Sequence, residues 1–278
     1  MAVFKRIFDF YIQGSIHVAL SCFSLVSMTS FLFGIKQNQD CAFFALFGVI
    51  VAYNFVKYDA LARTQSMQMK GKIKAIALLS FFSFIASVYY FFQLQIKTQI
   101  IAVGFLILTL LYTLPFFPNR KNARNWVGVK IYIVTLCWVG VTLALPVLNA
   151  DVPLTFFFYS KVFQRSLFLF VLILIFEIID LKKDDPHLQT VPQQIGVQRT
   201  KLLGYLLLYG FVILEIFNAI YFKPYFNSEI GQIFACAFAA VSAALFLAFA
   251  NTNRSKYYTS FWVESIPILW WILVLFFG

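Results

Sequence analysis

Nine long apolar blocks, separated by polar breaks, make up nearly the whole chain: 13–34, 41–56, 73–93, 98–116, 127–149, 159–179, 201–222, 230–250 and 261–277. A helix rises about 1.5 Å per residue and the hydrocarbon layer is about 30 Å thick, so about 20 largely apolar residues suffice to cross it. Each block therefore predicts one membrane-spanning helix. Together they predict an all-α, polytopic membrane protein whose single helical domain covers 1–278. The breaks alternate in character: 35–40, 94–97, 150–158 and 223–229 are short, whereas 57–72, 117–126 and 180–200 are longer and polar.

Basic residues follow the same alternation. Lys5, Arg6, Lys57, Arg63, Lys70, Lys72, Lys74, Arg120, Lys121, Arg124, Lys130, Lys182, Lys183, Arg199, Lys201, Arg254 and Lys256 fall on one side of the nine-helix scheme. Lys36, Lys97, Lys161, Arg165 and Lys223 fall on the other. The split of 17 to 5 predicts, by the positive-inside rule, a cytoplasmic N-terminus and an external C-terminus in a plasma (inner) membrane.

Composition agrees with the pattern and narrows it. Of the 278 residues 62% are hydrophobic and 12% charged, against about 25% charged in ordinary soluble domains. The net charge of +11 reports topology in such a chain and does not predict a nucleic-acid partner. Cys22, Cys41, Cys137 and Cys236 are far apart and lie in or beside apolar blocks, so they read as small buried hydrophobes. Lys5 and Arg6 precede an apolar run that is long and lacks a small-x-small cleavage site, which predicts a retained first helix.

Candidate chemistry gathers at two helix ends on the basic side. The stretch "EIIDLKKDDPHLQTVPQQIG", residues 177–196, holds Glu177, Asp180 and Asp184 at i, i+3 and i+7. At about 100° per residue these fall within about 60° of one another, as one acidic stripe. Like charges on one face repel, and a hard divalent cation with oxygen ligands relieves that repulsion. A solvated helix end whose acids pair with Lys182 and Lys183 accounts for the same pattern. The second end, "YNFVKYDALART" at 53–64, packs an amide, two tyrosines, a lysine and Asp59 together.

The order acid-x-x-Asp-x-x-x-Asp followed by Thr190-x-Pro192 and Gly196 resembles the second aspartate motif of the UbiA superfamily of intramembrane prenyltransferases. "LLYTLPFFPNRKNARNWVG", residues 110–128, is similar to that family's tyrosine-then-basic loop after helix four. The resemblance extends over nearly the whole chain and implies nine helices around a central cavity, with both motifs facing the cytoplasm. Laid on Asn54, the family's first motif places Phe55, Tyr58 and Ala62 where it has aspartates, so only Asn54 fits; Asp59 lies one place late on roughly the same helix face. In the second motif Glu177 replaces an aspartate, and the spacer before Thr190 is one residue short.

The resemblance implies an Mg²⁺-dependent transfer of an isoprenyl group from a prenyl diphosphate to an aromatic or lipophilic acceptor, within membrane lipids. It implies Asn54, Asp59, Glu177, Asp180 and Asp184 on the metal side, with Asp59, Asp180 and Asp184 closest to the chemistry. It further implies Lys57, Arg120, Lys121 and Lys201 toward the diphosphate, Asn54 as a substrate contact, and Tyr53, Tyr58 and Tyr112 as cavity wall or phosphate contacts. Plainer roles stand beside these: topology anchors for the basic residues, an interfacial aromatic belt for the tyrosines. His17 reads as a buried, hydrogen-bonded histidine, and Glu215 and Glu264 as intramembrane acids without an assigned role. Two other functions fit the sequence: a UbiA-like protein that binds a polyprenyl lipid without turnover, and a small transporter. The acceptor and the prenyl chain length are open.

Overall fold

The computed structural model describes residues 2–36, 39–64, 71–114, 126, 128–222 and 228–278. Side chains 59–64 and that of Lys72 lie outside the described set, as do Arg120 and Lys121 entirely. The described helices are α1 (Ala2–Gln13), α2 (Ile16–Leu32), α3 (Gln39–Thr64), α4 (Gly71–Gln93), α5 (Ile96–Thr113), α6 (Lys130–Asn149), α7 (Phe156–Asp180), the short α8 (Val191–Ile195), α9 (Val197–Tyr221), α10 (Glu229–Phe249) and α11 (Tyr258–Phe277).

Among the described residues, eight helices are long and apolar enough to cross a bilayer, and α1 with α2 makes a ninth span broken by a 54° bend. The protein is an integral, multi-pass membrane protein. The sequence places the start of the first span at residue 13; the structure has helix already over Ala2–Gln13, then a break at Gly14–Ser15 and a second helix from Ile16. Gly14 is required there, since a Cβ would stand 2.9 Å from the Phe10 carbonyl oxygen and 3.0 Å from Leu79. Ser15 takes φ 61°, a left-handed conformation costing roughly 1–2 kcal/mol in a non-glycine residue. Its buried hydroxyl and the freed Gly14 carbonyl are both used in the site described below.

Helices α2 and α7 are the structural centre. α2 packs against α3, α11 and the middle of α6, and α7 against α6, α9 and α10. Between lipid-exposed helices there is no hydrophobic driving force, so close approach depends on small residues and on polar bonds. The i+4 stripe Gly231, Ala235, Ala239 and Ala243 on α10 is buried throughout, and a Cβ on Gly231 would collide with the backbone of Phe277 in α11.

Pro146 shapes the other junction. Proline has no N–H to offer the carbonyl four residues earlier, which is that of Thr142, within the π turn Gly140–Ala144 of α6. The Thr142 carbonyl instead accepts from Thr29 Oγ1 of α2 at 2.7 Å and Arg165 Nη1 of α7 at 3.2 Å. One helix defect thus joins three helices. At the N-terminal end, Tyr257 and Lys256 both engage Asp9, the lysine at 3.6 Å, and tie α1 to the start of α11. The bond to that carboxylate raises the Tyr257 phenol above its ordinary pKa.

Lys161 and Arg165 correct the sequence-based charge count. Counted there as outer-side charges, both are buried within α7 at 4% and 3% exposure. Their removal leaves only Lys36, Lys97 and Lys223 on the sparse side, which sharpens the asymmetry. Single cysteines at Lys36 and Asn253 in a cysteine-free background should react with a membrane-impermeant maleimide from opposite sides, Lys36→Cys from outside. Labelling of both from one side contradicts the nine-span topology.

Candidate functional site

The acidic end of α7 is folded back beneath its own connection. Glu177 is 1% exposed, and its Oε2 accepts the N–H of Val191, the first residue of α8, at 3.1 Å. That bond satisfies a helix-terminal donor with a negative charge at the positive end of the helix dipole. Gln193 Oε1 accepts the Thr190 N–H at 2.8 Å, and the Leu188 carbonyl accepts the N–H of Gly128 at 3.1 Å, so the segment before α6 docks on the same connection. Gly128 and Gly196 supply φ of 67° and 80° in these turns.

Asp184, one turn beyond Asp180, receives Lys130 Nζ of α6 at 3.2 Å. Both side chains are largely buried, at 10% and 19% exposure respectively. Asp180 pairs with Lys183 at 3.3 Å at the surface, a contact worth about 0–1 kcal/mol. The local pairing expected for a solvated helix end is therefore realised at Asp180 alone. Lys182 bonds Asn253 Oδ1 at 3.1 Å, and Asp184 finds its partner on a different helix. Lys130 was legible only as a topology charge; its sequence distance from the acids hid the pairing.

Toward the end of the span Gln39–Tyr58, and well inside α3, Asn54 is 3% exposed and its amide is well supplied. It accepts from Ser15 Oγ at 2.8 Å and donates to the Gly14 carbonyl at 3.1 Å and to Ser80 Oγ of α4 at 2.9 Å. All three bonds run to the α1–α2 break and to α4. Lys57, one turn on, donates to the same Ser15 hydroxyl at 2.9 Å and lies 6.0 Å from the Tyr53 ring centre. Tyr53 accepts from Trp138 Nε1 of α6 at 2.9 Å, and Tyr58 donates to the Gln13 carbonyl at 3.2 Å.

Tyr112 is buried. Glu264 of α11, without an assigned role in the sequence, lies where α11 meets α2, its backbone carbonyl accepting from Ser21 Oγ. An ionisable residue inside a span was the available signal. His17 is the hydrogen-bonded histidine the sequence suggests: Tyr11 Oη lies 2.6 Å from Nδ1, while Nε2 meets the Phe261 carbonyl at 2.9 Å and Ser265 Oγ at 3.0 Å. Lys201 reaches the Ala248 carbonyl in the last turn of α10 at 2.6 Å, a favourable place for a cation.

The donors at the α7 end suit a hard cation, yet among the described residues no three His, Cys, Asp or Glu side chains form a metal-holding group. Glu177 is committed to Val191, and Asp184 gives its Oδ2 to Lys130, which leaves Asp180 and the second oxygen of Asp184 for a metal. Mg²⁺ is commonly held by one or two carboxylates together with substrate phosphate oxygens, so the residues fit a metal that arrives with its phosphate, and not a closed protein cage.

These features define a polytopic helical membrane protein. A solved structure of a digeranylgeranylglyceryl phosphate synthase in membranes superposes on it with a TM-score of 0.60, covering 98% of this chain and 98% of that one at 13% identity. No protein-family model matches the sequence, and no curated protein matches it.

The bonding predicts a clear order of stability effects. Asn54→Ala strips three bonds from a buried network and should cost about 2–4 kcal/mol, since each buried group left unpaired costs about 1–3 kcal/mol. Asp180→Ala, at the surface, should stay within about 0.5 kcal/mol. Thermal midpoints of both variants in the same detergent check the order; equal midpoints contradict it.

Proposed function

We propose that the protein is a membrane-embedded prenyltransferase that moves an isoprenyl group from a prenyl diphosphate to an aromatic or lipophilic acceptor at the cytoplasmic face of the plasma membrane. The observation that carries this reading is the folded acidic end of α7, with Asp180 and Asp184 one turn apart, in a fold shared over 98% of its length with a membrane synthase. Asp180 and Asp184 would hold Mg²⁺ with the substrate diphosphate, joined by Asp59 from α3. When bound, the metal supplies positive charge against the charge that develops on departing diphosphate.

The chain's own residues do the rest. In the transfer the allylic carbon–oxygen bond breaks with its electron pair leaving on diphosphate, the acceptor forms the new bond to that carbon, and the acceptor's proton is lost. Lys130, already against Asp184, fixes the carboxylate's direction and offers an ammonium to a phosphate oxygen. Lys57, in the stretch where the resemblance has carboxylates, brings a cation of its own, with its position set by Ser15 and Asn54. The resemblance assigns Arg120 and Lys121, which lie outside the described residues, to the diphosphate, and Lys201 bonds the last turn of α10. Tyr53, Tyr58 and Tyr112 present aromatic surface, which favours a carbocation, and the apolar bundle keeps water from it.

The α3 half would thus be the weaker metal half, because Asn54 is taken up by Ser15, Gly14 and Ser80 and the sequence supplies one carboxylate, Asp59. Mg²⁺ titrations of prenyl-diphosphate binding to purified protein test the assignment. Asp180→Ala should abolish the Mg²⁺ dependence, Asp59→Ala should shift it by less, and Tyr58→Asp should strengthen it by adding a carboxylate. If Asp180→Ala binds like the parent, the proposed metal site is wrong.

A further inference from the structure

Helix α1 differs in kind from the helices that follow it. It is the most amphipathic of the described helices, and it passes as part of a span only together with α2, from which it is bent by 54°. α2 hardly needs that help to cross. Its 17 residues reach about 26 Å at 1.5 Å per residue, close to the hydrocarbon thickness of about 30 Å. Spanning helices tilt on average about 20° from the membrane normal, so the bend sets α1 oblique to the membrane, at the boundary where the crossing begins.

The protein pins α1 along one flank. The Phe8 ring packs against those of Tyr257 and Phe261, at 5.6 and 5.2 Å between centres, and Ile12 is buried. Tyr257 and Lys256 hold Asp9, and Tyr11 bonds His17. At the far end the Gln13 and Gly14 carbonyls accept from Tyr58 and Asn54. These contacts fix the rotation of α1 about its own axis, and with it the face that points away from the bundle.

That outer face is apolar. Val3, Phe4 and Ile7 are 69%, 77% and 63% exposed, and at about 100° per residue they fall within one arc of about 100°. Lys5 and Arg6 project on the other side of the arc; both are exposed, and neither forms an ion pair among the described residues. Bulky apolar side chains on one face and free cations on the other are the pattern of a helix that lies in a membrane interface, and the cations select an anionic one. We infer that α1 is an interfacial helix docked on anionic phospholipid: Val3, Phe4 and Ile7 enter the acyl chains just beneath the headgroups, and Lys5 and Arg6 meet the phosphates. Docking then sets the height at which the Gly14–Ser15 break, and with it Asn54 and Lys57, sits relative to the headgroups.

The test uses the full-length, cysteine-free protein in nanodiscs of phosphatidylcholine, with or without phosphatidylglycerol, carrying a nitrobenzoxadiazole label on one introduced cysteine. With phosphatidylglycerol present, the label at Phe4→Cys should be quenched more by lipid spin-labelled high on the acyl chain than by lipid labelled near its end. The label at Arg6→Cys should be quenched by aqueous iodide instead. Each basic residue near an anionic surface biases docking about fivefold, so omitting phosphatidylglycerol, or combining Lys5→Gln with Arg6→Gln, should weaken the shallow quenching at Phe4→Cys. These substitutions leave every bond that pins α1 in place, so the fold is not at stake. Strongest quenching from the deep spin label would put α1 inside the hydrocarbon, and no quenching by lipid would put its outer face in water or against protein. Equal quenching in the two lipid compositions would remove the anionic partner. Each of these three results overturns the inference, and none bears on prenyl transfer.

Discussion

A polar group inside a bilayer has to bring its partner with it, because the hydrocarbon offers none. The break after α1, the π turn in α6 and the pairing of α7 with α2 all answer to that constraint. Ser15 adopts a left-handed conformation that presents the Gly14 carbonyl and its own hydroxyl to Asn54 and Lys57. Pro146 frees the Thr142 carbonyl, and Thr29 and Arg165 take it up. Each irregularity in the backbone coincides with a polar bond between helices, so the departures from ideal helix are also the joints of the bundle.

The two helix ends proposed as halves of one site use this constraint differently. At α7 the carboxylates are held by groups from elsewhere, Glu177 by the α8 N-terminus and Asp184 by Lys130. Their orientation is set before any ligand arrives. At α3 the positions that the resemblance would fill with aspartates carry Phe55, Tyr58 and Ala62, and the retained Asn54 bonds the α1–α2 break and α4. Lys57, held by the Ser15 hydroxyl, gives that end a cationic character. In the proposed reaction, fixed carboxylates would meet a polyanionic substrate through a shared cation and the fixed ammonium would meet it directly.

The spans were legible because the length of an apolar block is a local, additive signal. The acidic cluster at the end of α7 was legible as residues, but not as one helix face: α7 ends at Asp180, Asp184 lies in the turn beyond it, and Glu177 is buried while Asp180 is at the surface. Partners across the bundle were not. Lys130 and Asp184 are 54 residues apart, as are Lys161 and Glu215, and nothing in either local sequence announces the other. Lys161 and Arg165 misled further, because a basic residue near a helix end looks the same whether it anchors topology or enters the interior. The break at Gly14–Ser15 was hidden by an apolar run that continues across it. Asp59, Arg120 and Lys121 lie outside the described residues or side chains, and their part in the site rests on sequence.

The central claim is that these helix ends ionise a prenyl diphosphate. Purified protein in lipid nanodiscs, incubated with ³²P-labelled prenyl diphosphates of several chain lengths and Mg²⁺ in the presence of a panel of aromatic and lipid acceptors, measures it directly. Release of labelled pyrophosphate that requires Mg²⁺, and that falls to background in Asp180→Ala and Asp184→Ala, is the predicted result. Tight binding of the same diphosphates with no pyrophosphate released under any acceptor would contradict it.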